Sequence, residues 1–447
     1  MVANIRSIKS CLCTCFFVAA VLLVNQNAAA EDQLILPDDP NINYYGRFDF
    51  SNSKAPRFNW SGSTIELKVS GTTTVGIELT DGAGYYDIEV DGKVQSTPVY
   101  ANSYSSKKYT IVSALSTDEH IIRIVKRNEP YWVITTFGGI YLSNGGKTMP
   151  LAKPVRKMEF MGDSFTAGYF IEDCADQQAH TNANKSWARL TSKAFNAQDI
   201  ILAESGIGLV KSLGGKSSLP KKYPGTLDTI GSISTPMWNF SSWIPDIVSI
   251  FLGINDKNSG ATDNEYTAAV HDFVKTIRGN YPTTPILFIS YTGCMDGATR
   301  AAVTAETTSL GHKDIYFLEC KQKINGCSWH PTVSDARQIS DSVVAKIKQI
   351  TGWDNTQVNI ANGKLRQSVQ QAVQIKTALI DNRNMLISTN QVTAGYPVSV
   401  TTANGQIVKK MQLDNTGKCR WNTAQTSEGV YFVGSRETGW ARVFIKR

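Results

Sequence analysis

Residues 157–165, Lys157-Met158-Glu159-Phe160-Met161-Gly162-Asp163-Ser164-Phe165, hold a compact apolar run that stops abruptly on Gly-Asp-Ser. A run this short, bounded by turn residues, predicts a strand buried on both faces. Four more of the kind follow: Ile200-Ile201-Leu202-Ala203, residues 247–252, Ile286-Leu287-Phe288-Ile289 and Ile315-Tyr316-Phe317-Leu318. Helix-compatible segments separate them at 187–195, 264–278 and 300–308, and another follows at 335–350. Strand alternating with helix predicts an α/β unit over 151–354, a parallel sheet with helices on both faces.

Upstream the rhythm is different. Thr64-Ile65-Glu66-Leu67-Lys68-Val69, Gly76-Ile77-Glu78-Leu79 and Tyr86-Asp87-Ile88-Glu89-Val90 alternate with period two, Asp91-Gly92 supplies a hairpin turn, and further runs lie at 108–112, 120–126 and 133–142. About eight short strands without a helix predict a β-sandwich or jelly roll over 31–150. Beyond Trp353 the strand-helix alternation stops, and segments 397–401, 405–411, 429–434 and Val443-Phe444-Ile445 predict a small all-β unit over 355–447.

With 447 residues, 42% hydrophobic and 19% charged, the chain is neither disordered, collagen-like nor a coiled coil. Residues 1–30 carry Arg6 and Lys9, an apolar stretch and Ala28-Ala29-Ala30, the pattern of a secretory signal peptide, so a secreted protein without a membrane span is expected. Five cysteines remain after that leader, of which Cys320 and Cys327 are near enough in sequence to suggest one bridge, although spacing cannot fix connectivity. Neither C-x-x-C nor H-E-x-x-H occurs, so no metal and no cofactor is expected. The basic excess sits in the tail: residues 355–447 hold 12 Lys or Arg against 4 Asp or Glu. Those charges form no run, which argues against nucleic acid and for a solvated or surface-attaching module.

Ligands of open parallel sheets bind beyond the carboxyl ends of the strands. The loops there hold Gly162-Asp163-Ser164, then Glu204-Ser205-Gly206-Ile207-Gly208, then Gly253-Ile254-Asn255-Asp256, and finally Trp329-His330-Pro331. A serine hydroxyl needs a base, and of the five histidines His330 alone follows the last apolar run in such a loop. The Ser164 and Gly206 N–H groups and the Asn255 amide then offer three oxyanion donors from three loops. Asp163 and Asp256 are expected to bond nearby backbone. Trp329 and Trp238, among the aromatics near these loops, are candidates to stack on a sugar ring.

Taken in order, Gly-Asp-Ser, Gly, Gly-x-Asn-Asp and His-Pro resemble the four blocks of the SGNH (GDSL) hydrolase superfamily. The resemblance implies Ser164 as nucleophile, Gly206 and Asn255 as oxyanion donors and His330 as base, with Gly208 the alternative glycine. Together with Arg47-Phe48-Asp49-Phe50, Ala55-Pro56-Arg57-Phe58 and Arg156-Lys157-Met158-Glu159-Phe160, residues 41–353 look like carbohydrate esterase family 2. That family pairs a jelly roll with an SGNH domain and deacetylates plant polysaccharides such as xylan and glucomannan. Where the superfamily has Asp, three residues before the histidine, this chain has Cys327. A Ser-His dyad is implied, with a main-chain carbonyl holding Nδ1–H. A glycan-binding protein without turnover, and a short-chain lipase or thioesterase, are the alternatives. The C-terminal unit is similar to sorting or attachment domains of exported bacterial enzymes, with a carbohydrate-binding module the other reading.

Overall fold

The computed structural model describes residues 32–228, 235–354, 375–381, 384–389, 397–402, 407–416, 418–435 and 439–445. The leader expected over 1–30 lies outside them.

The five apolar runs form one parallel sheet: Lys157–Gly162, Gln198–Ala203, Ile247–Phe251, Ile286–Tyr291 and Ile315–Cys320. Their spatial order is second, first, third, fourth, fifth. The order reverses beside the first strand, the switch point at which open α/β sheets place their ligands, beyond the carboxyl ends of the strands. Helices Trp187–Ala194 and Val333–Thr351 cover one face through Trp187, Ala188, Ala336 and Ile339. Helices Asp263–Asn280 and Asp296–Thr308 cover the other through Val270, Phe273, Ala298 and Ala302. Capping boxes at Thr262/Glu265 and Thr332/Asp335 start the two long helices by satisfying orphan N–H groups.

Residues 33–149 form two antiparallel sheets. One is built on Thr135–Leu142, Val75–Thr80 and Lys107–Val112, the other on Thr64–Ser70, His120–Lys126 and Gly84–Val90. Alternate residues, among them Ile65, Leu67, Ile77, Leu79, Ile122, Ile124 and Phe137, meet in the core between them. Asp91-Gly92 makes the expected turn between Gly84–Val90 and Lys93–Val94. Several further strands of two to four residues, such as Gln33–Ile35 and Arg57–Phe58, were not expected, because so few residues show no period.

The sandwich meets the α/β unit through buried charge. Arg47 pairs with Glu159 at 3.0 Å, both side chains fully buried, and Arg189 pairs with Asp199 at 2.9 Å while donating to Thr64 Oγ1 at 3.1 Å. Such groups are stable only when every partner is present, so the two units hold a fixed relation.

In the C-terminal region, Ile375–Asp381, Asn384–Thr389 and Lys418–Asn422 form one antiparallel sheet, and Ile407–Gln412, Pro397–Thr402, Gly429–Ser435 and Gly439–Ile445 another. Met385, Ile387, Val398, Val400, Trp421 and Val433 make its core. Among the described residues no helix is long and apolar enough to cross a membrane.

Candidate active site

The first strand ends at Gly162, a position that admits no larger residue. A Cβ there would stand 2.0 Å from Thr166 Oγ1 and 2.9 Å from the Phe251 carbonyl. The chain turns at once into the one-turn helix Ser164–Ala167, which Asp163 caps by accepting the Phe165 N–H at 3.1 Å. Ser164 thus sits at the carboxyl edge of the sheet, its own N–H lacking an intrahelical acceptor.

The His330 Nε2 lies 2.9 Å from Ser164 Oγ. Its Nδ1 is 3.0 Å from the Ser328 carbonyl and 3.2 Å from that of Cys327. Carbonyls only accept, so Nδ1 carries the hydrogen and Nε2 is left to accept the serine proton. Main-chain oxygen stands where a triad has a carboxylate, as the resemblance implied. Burial lowers the His330 pKa, and the bonds that Nδ1–H donates to the Cys327 and Ser328 carbonyls oppose that shift without cancelling it. The ring is confined by Tyr169 at 4.5 Å and Phe165 at 5.7 Å between centroids.

Across from this pair, Gly206 turns the second loop with φ +84°, a conformation that favours glycine. The Gly208 N–H is already given to Ser212 Oγ at 3.0 Å, which leaves Gly206 as the glycine able to offer a donor. Asn255 is buried. Its amide nitrogen donates to the Ile207 carbonyl at 2.8 Å and lies 3.3 Å from Asp163 Oδ2, a long contact that leaves its second hydrogen open to a better acceptor. Asp256 accepts the Leu209, Val210 and Lys211 N–H groups at 2.9, 2.6 and 2.9 Å and so shapes the Gly206 loop. Both aspartates bond backbone, and burial pushes the Asp163 carboxyl up to about 7.

Trp329 adjoins His330, 44% exposed, and packs on Phe165 and Tyr291 with centroids 5.7 and 4.9 Å away. Trp238 is placed elsewhere. Its ring lies 5.0 Å from the Arg47 guanidinium, which reaches Glu159 midway along the first strand rather than the carboxyl edge. The cysteine pairing also differs from expectation: Cys327 is bonded to Cys174, not to Cys320. Cys320 ends the fifth strand facing the helix layer, its thiol on Gln322 Oε1 at 2.8 Å, whereas Cys327 sits in a loop turned toward residues 172–180. Sequence reasoning missed Glu129. This buried sandwich residue accepts the Ser205 N–H and the Tyr131 hydroxyl, the latter at 2.7 Å, beside the Gly206 loop. Burial raises its pKa. No local pattern marks such a contact, which exists only because the two units pack together. Among the described residues no cluster of His, Cys, Asp and Glu is arranged to hold a metal.

Comparison with known proteins places this geometry in a family. Residues 44–151 match the carbohydrate esterase 2 N-terminal family and residues 160–314 the GDSL-like lipase/acylhydrolase family. A cellulase/esterase of Acetivibrio thermocellus is 31% identical over 345 residues, which are 73% of this chain and 41% of that protein, so the chain spans less than half of that relative. An acetylxylan esterase/glucomannan deacetylase of Cellvibrio japonicus is 27% identical over 66% of this chain and 86% of its own length. The structure of a family two carbohydrate esterase from Clostridium thermocellum in complex with cellohexaose superposes with TM-score 0.65 and 30% identity, over 70% of this chain and 99% of that one. With its antiparallel sandwich, its parallel-sheet hydrolase unit and these two family matches, the chain belongs to carbohydrate esterase family 2.

Proposed function

We propose that the protein is an exported O-acetyl esterase that removes acetyl groups from plant cell-wall polysaccharide, xylan or glucomannan, through an acetyl-enzyme on Ser164. The observation that carries this is the 2.9 Å contact between His330 Nε2 and Ser164 Oγ, with Nδ1 committed to carbonyls. His330 takes the Ser164 proton as Oγ attacks the acetyl carbonyl, and the N–H groups of Ser164 and Gly206 and the Asn255 amide receive the oxyanion. The proton passes from Nε2 to the departing sugar oxygen, and the sugar leaves as an alcohol. Water, deprotonated by the same nitrogen, then attacks the acetyl ester, and Nε2 returns that proton to Oγ as the acyl–oxygen bond breaks.

The name of the Cellvibrio relative, acetylxylan esterase/glucomannan deacetylase, supports the choice of substrate. Export is supported by the leader pattern of residues 1–30 and by the Cys174–Cys327 bond, which is characteristic of an oxidising compartment. We assign the basic C-terminal region to attachment or sorting. A second reading has the same cleft holding a β-glucan chain without turnover. It is favoured by the cellohexaose in the Clostridium structure and by the exposed Trp329 ring beside the base. Acetate release from a panel of acetylated xylans and glucomannans, with NMR of the esters left behind, decides between the two. Release from xylan or glucomannan supports deacetylation; retention of every ester together with cellohexaose binding supports the second reading.

A further inference from the structure

We propose that the Cys174–Cys327 disulfide is the positioning device of the catalytic base, performing here the orienting task of the absent carboxylate. The proposal rests on the reading of His330 as the base. Cys327 contributes twice to that residue: its carbonyl accepts from His330 Nδ1, and its side chain is pinned by the bond to Cys174. The intervening turn needs such a restraint. Ser328 and Trp329 have φ of 48° and 60°, two successive side-chain-bearing residues in the left-handed region. Besides the two Nδ1 contacts, the turn is closed by the Gly326 N–H to His330 O bond at 3.0 Å and the His330 N–H to Cys327 O bond at 2.9 Å.

The far end of the bridge is anchored in the sandwich. Cys174 belongs to the insertion at 172–180, where Arg127 pairs with Glu172 and donates to the Ala179 carbonyl at 2.7 Å. Arg127 is itself held by Asp87 at 3.2 Å. Gln177 donates to the Tyr131 hydroxyl and Gln178 to the Ala83 carbonyl, two more sandwich residues. A continuous path therefore runs from the sandwich through the insertion and the disulfide to two carbonyls and the imidazole. Opening the bond frees the turn to relax from its left-handed conformation, which carries both carbonyls away from Nδ1 and lets the ring rotate or change tautomer. The oxyanion donors are not on this path, and 4-nitrophenyl acetate has no sugar ring to meet Trp329, which shares the turn.

A dithiol opens the bond: one thiolate attacks a sulfur, the mixed disulfide resolves, and two protein thiols and one cyclic disulfide of the reagent result. Cys294, Cys320 and Cys419 are thiols already and take no part. The test measures kcat and KM of the full chain on 4-nitrophenyl acetate before and after dithiothreitol, with a thiol count and circular dichroism on the same samples. The expected result is two new thiols, an unchanged folded spectrum, kcat down by about tenfold to a hundredfold with KM within about twofold, and recovery on reoxidation. The Cys174→Ser variant should show the same low kcat and no response to the reagent, while Cys419→Ser keeps the response. The His330 Nδ1–H proton resonance should broaden or vanish with the bond. Unchanged kcat after two thiols appear overturns the proposal, and so does a loss of activity that tracks loss of the folded spectrum. If reduction has no effect while Ser164→Ala is inactive, this inference falls and the dyad stands; if Ser164→Ala is fully active, both fall.

Discussion

Ser164 Oγ and His330 Nε2 are 2.9 Å apart although 166 positions separate them in the chain. The serine follows the first strand and the histidine follows the fifth, at the sheet edge, with the third and fourth strands between. The last loop must therefore return across those strand ends, and Trp329 marks its course by packing on Tyr291 and Phe165. With no carboxylate on Nδ1, the dyad depends on how well neighbouring loops hold the imidazole, and the following outcomes are expected.

The acid limb of the pH profile should lie below that of an ordinary imidazole. The base works in its neutral form, so kcat/KM is full above its pKa and is lost as pH falls through it. Burial disfavours the charged ring and lowers that pKa from 6.5, which moves the loss to lower pH. A kcat/KM profile on 4-nitrophenyl acetate checks this, and a limb above pH 6.5 would argue against His330 in its described environment.

Asn255→Ala should lower kcat by about 10²–10³ with little change in KM, because an oxyanion donor acts mainly in the transition state. Steady-state kinetics separate this from a binding role, in which KM would rise while kcat held.

Glu129→Ala should slow turnover by about tenfold, since it removes the acceptor for the Ser205 N–H next to Gly206, and should cost about 1–3 kcal/mol of stability. Glu129→Gln keeps an acceptor oxygen and should restore most of both. Equal damage by the two variants, in rate and in urea unfolding, would instead assign importance to the charge.

Arg189→Ala should destabilise the protein by about 3–5 kcal/mol, because it leaves Asp199 buried without its cation and removes the donor to Thr64 across the interface. Urea unfolding measures the loss, and a change below about 1 kcal/mol would mean that water or another cation replaces the guanidinium.

Much of this architecture is legible in the sequence, for identifiable reasons. Strands buried on both faces must be apolar throughout, which is why the runs at Lys157–Gly162 and Ile247–Phe251 stand out. Ser164 and His330 could be paired because open parallel sheets present ligands at one edge. What stayed hidden depends on three-dimensional packing. Cys174 and Cys327 are 153 residues apart, and proximity in sequence pointed instead to Cys320. Glu129 touches the Gly206 loop only through the packing of the sandwich. Trp238 shows that an aromatic beside a functional loop carries no direction: its ring went to Arg47 rather than to the edge where Ser164 lies.

Acetate release from acetylated xylan by the wild-type chain and by Ser164→Ala tests the central claim most directly. The nucleophile's removal should lower the rate by at least about 10⁴-fold while the folded spectrum persists. Turnover by the folded variant at a rate near wild type would show that Ser164 is not the attacking group.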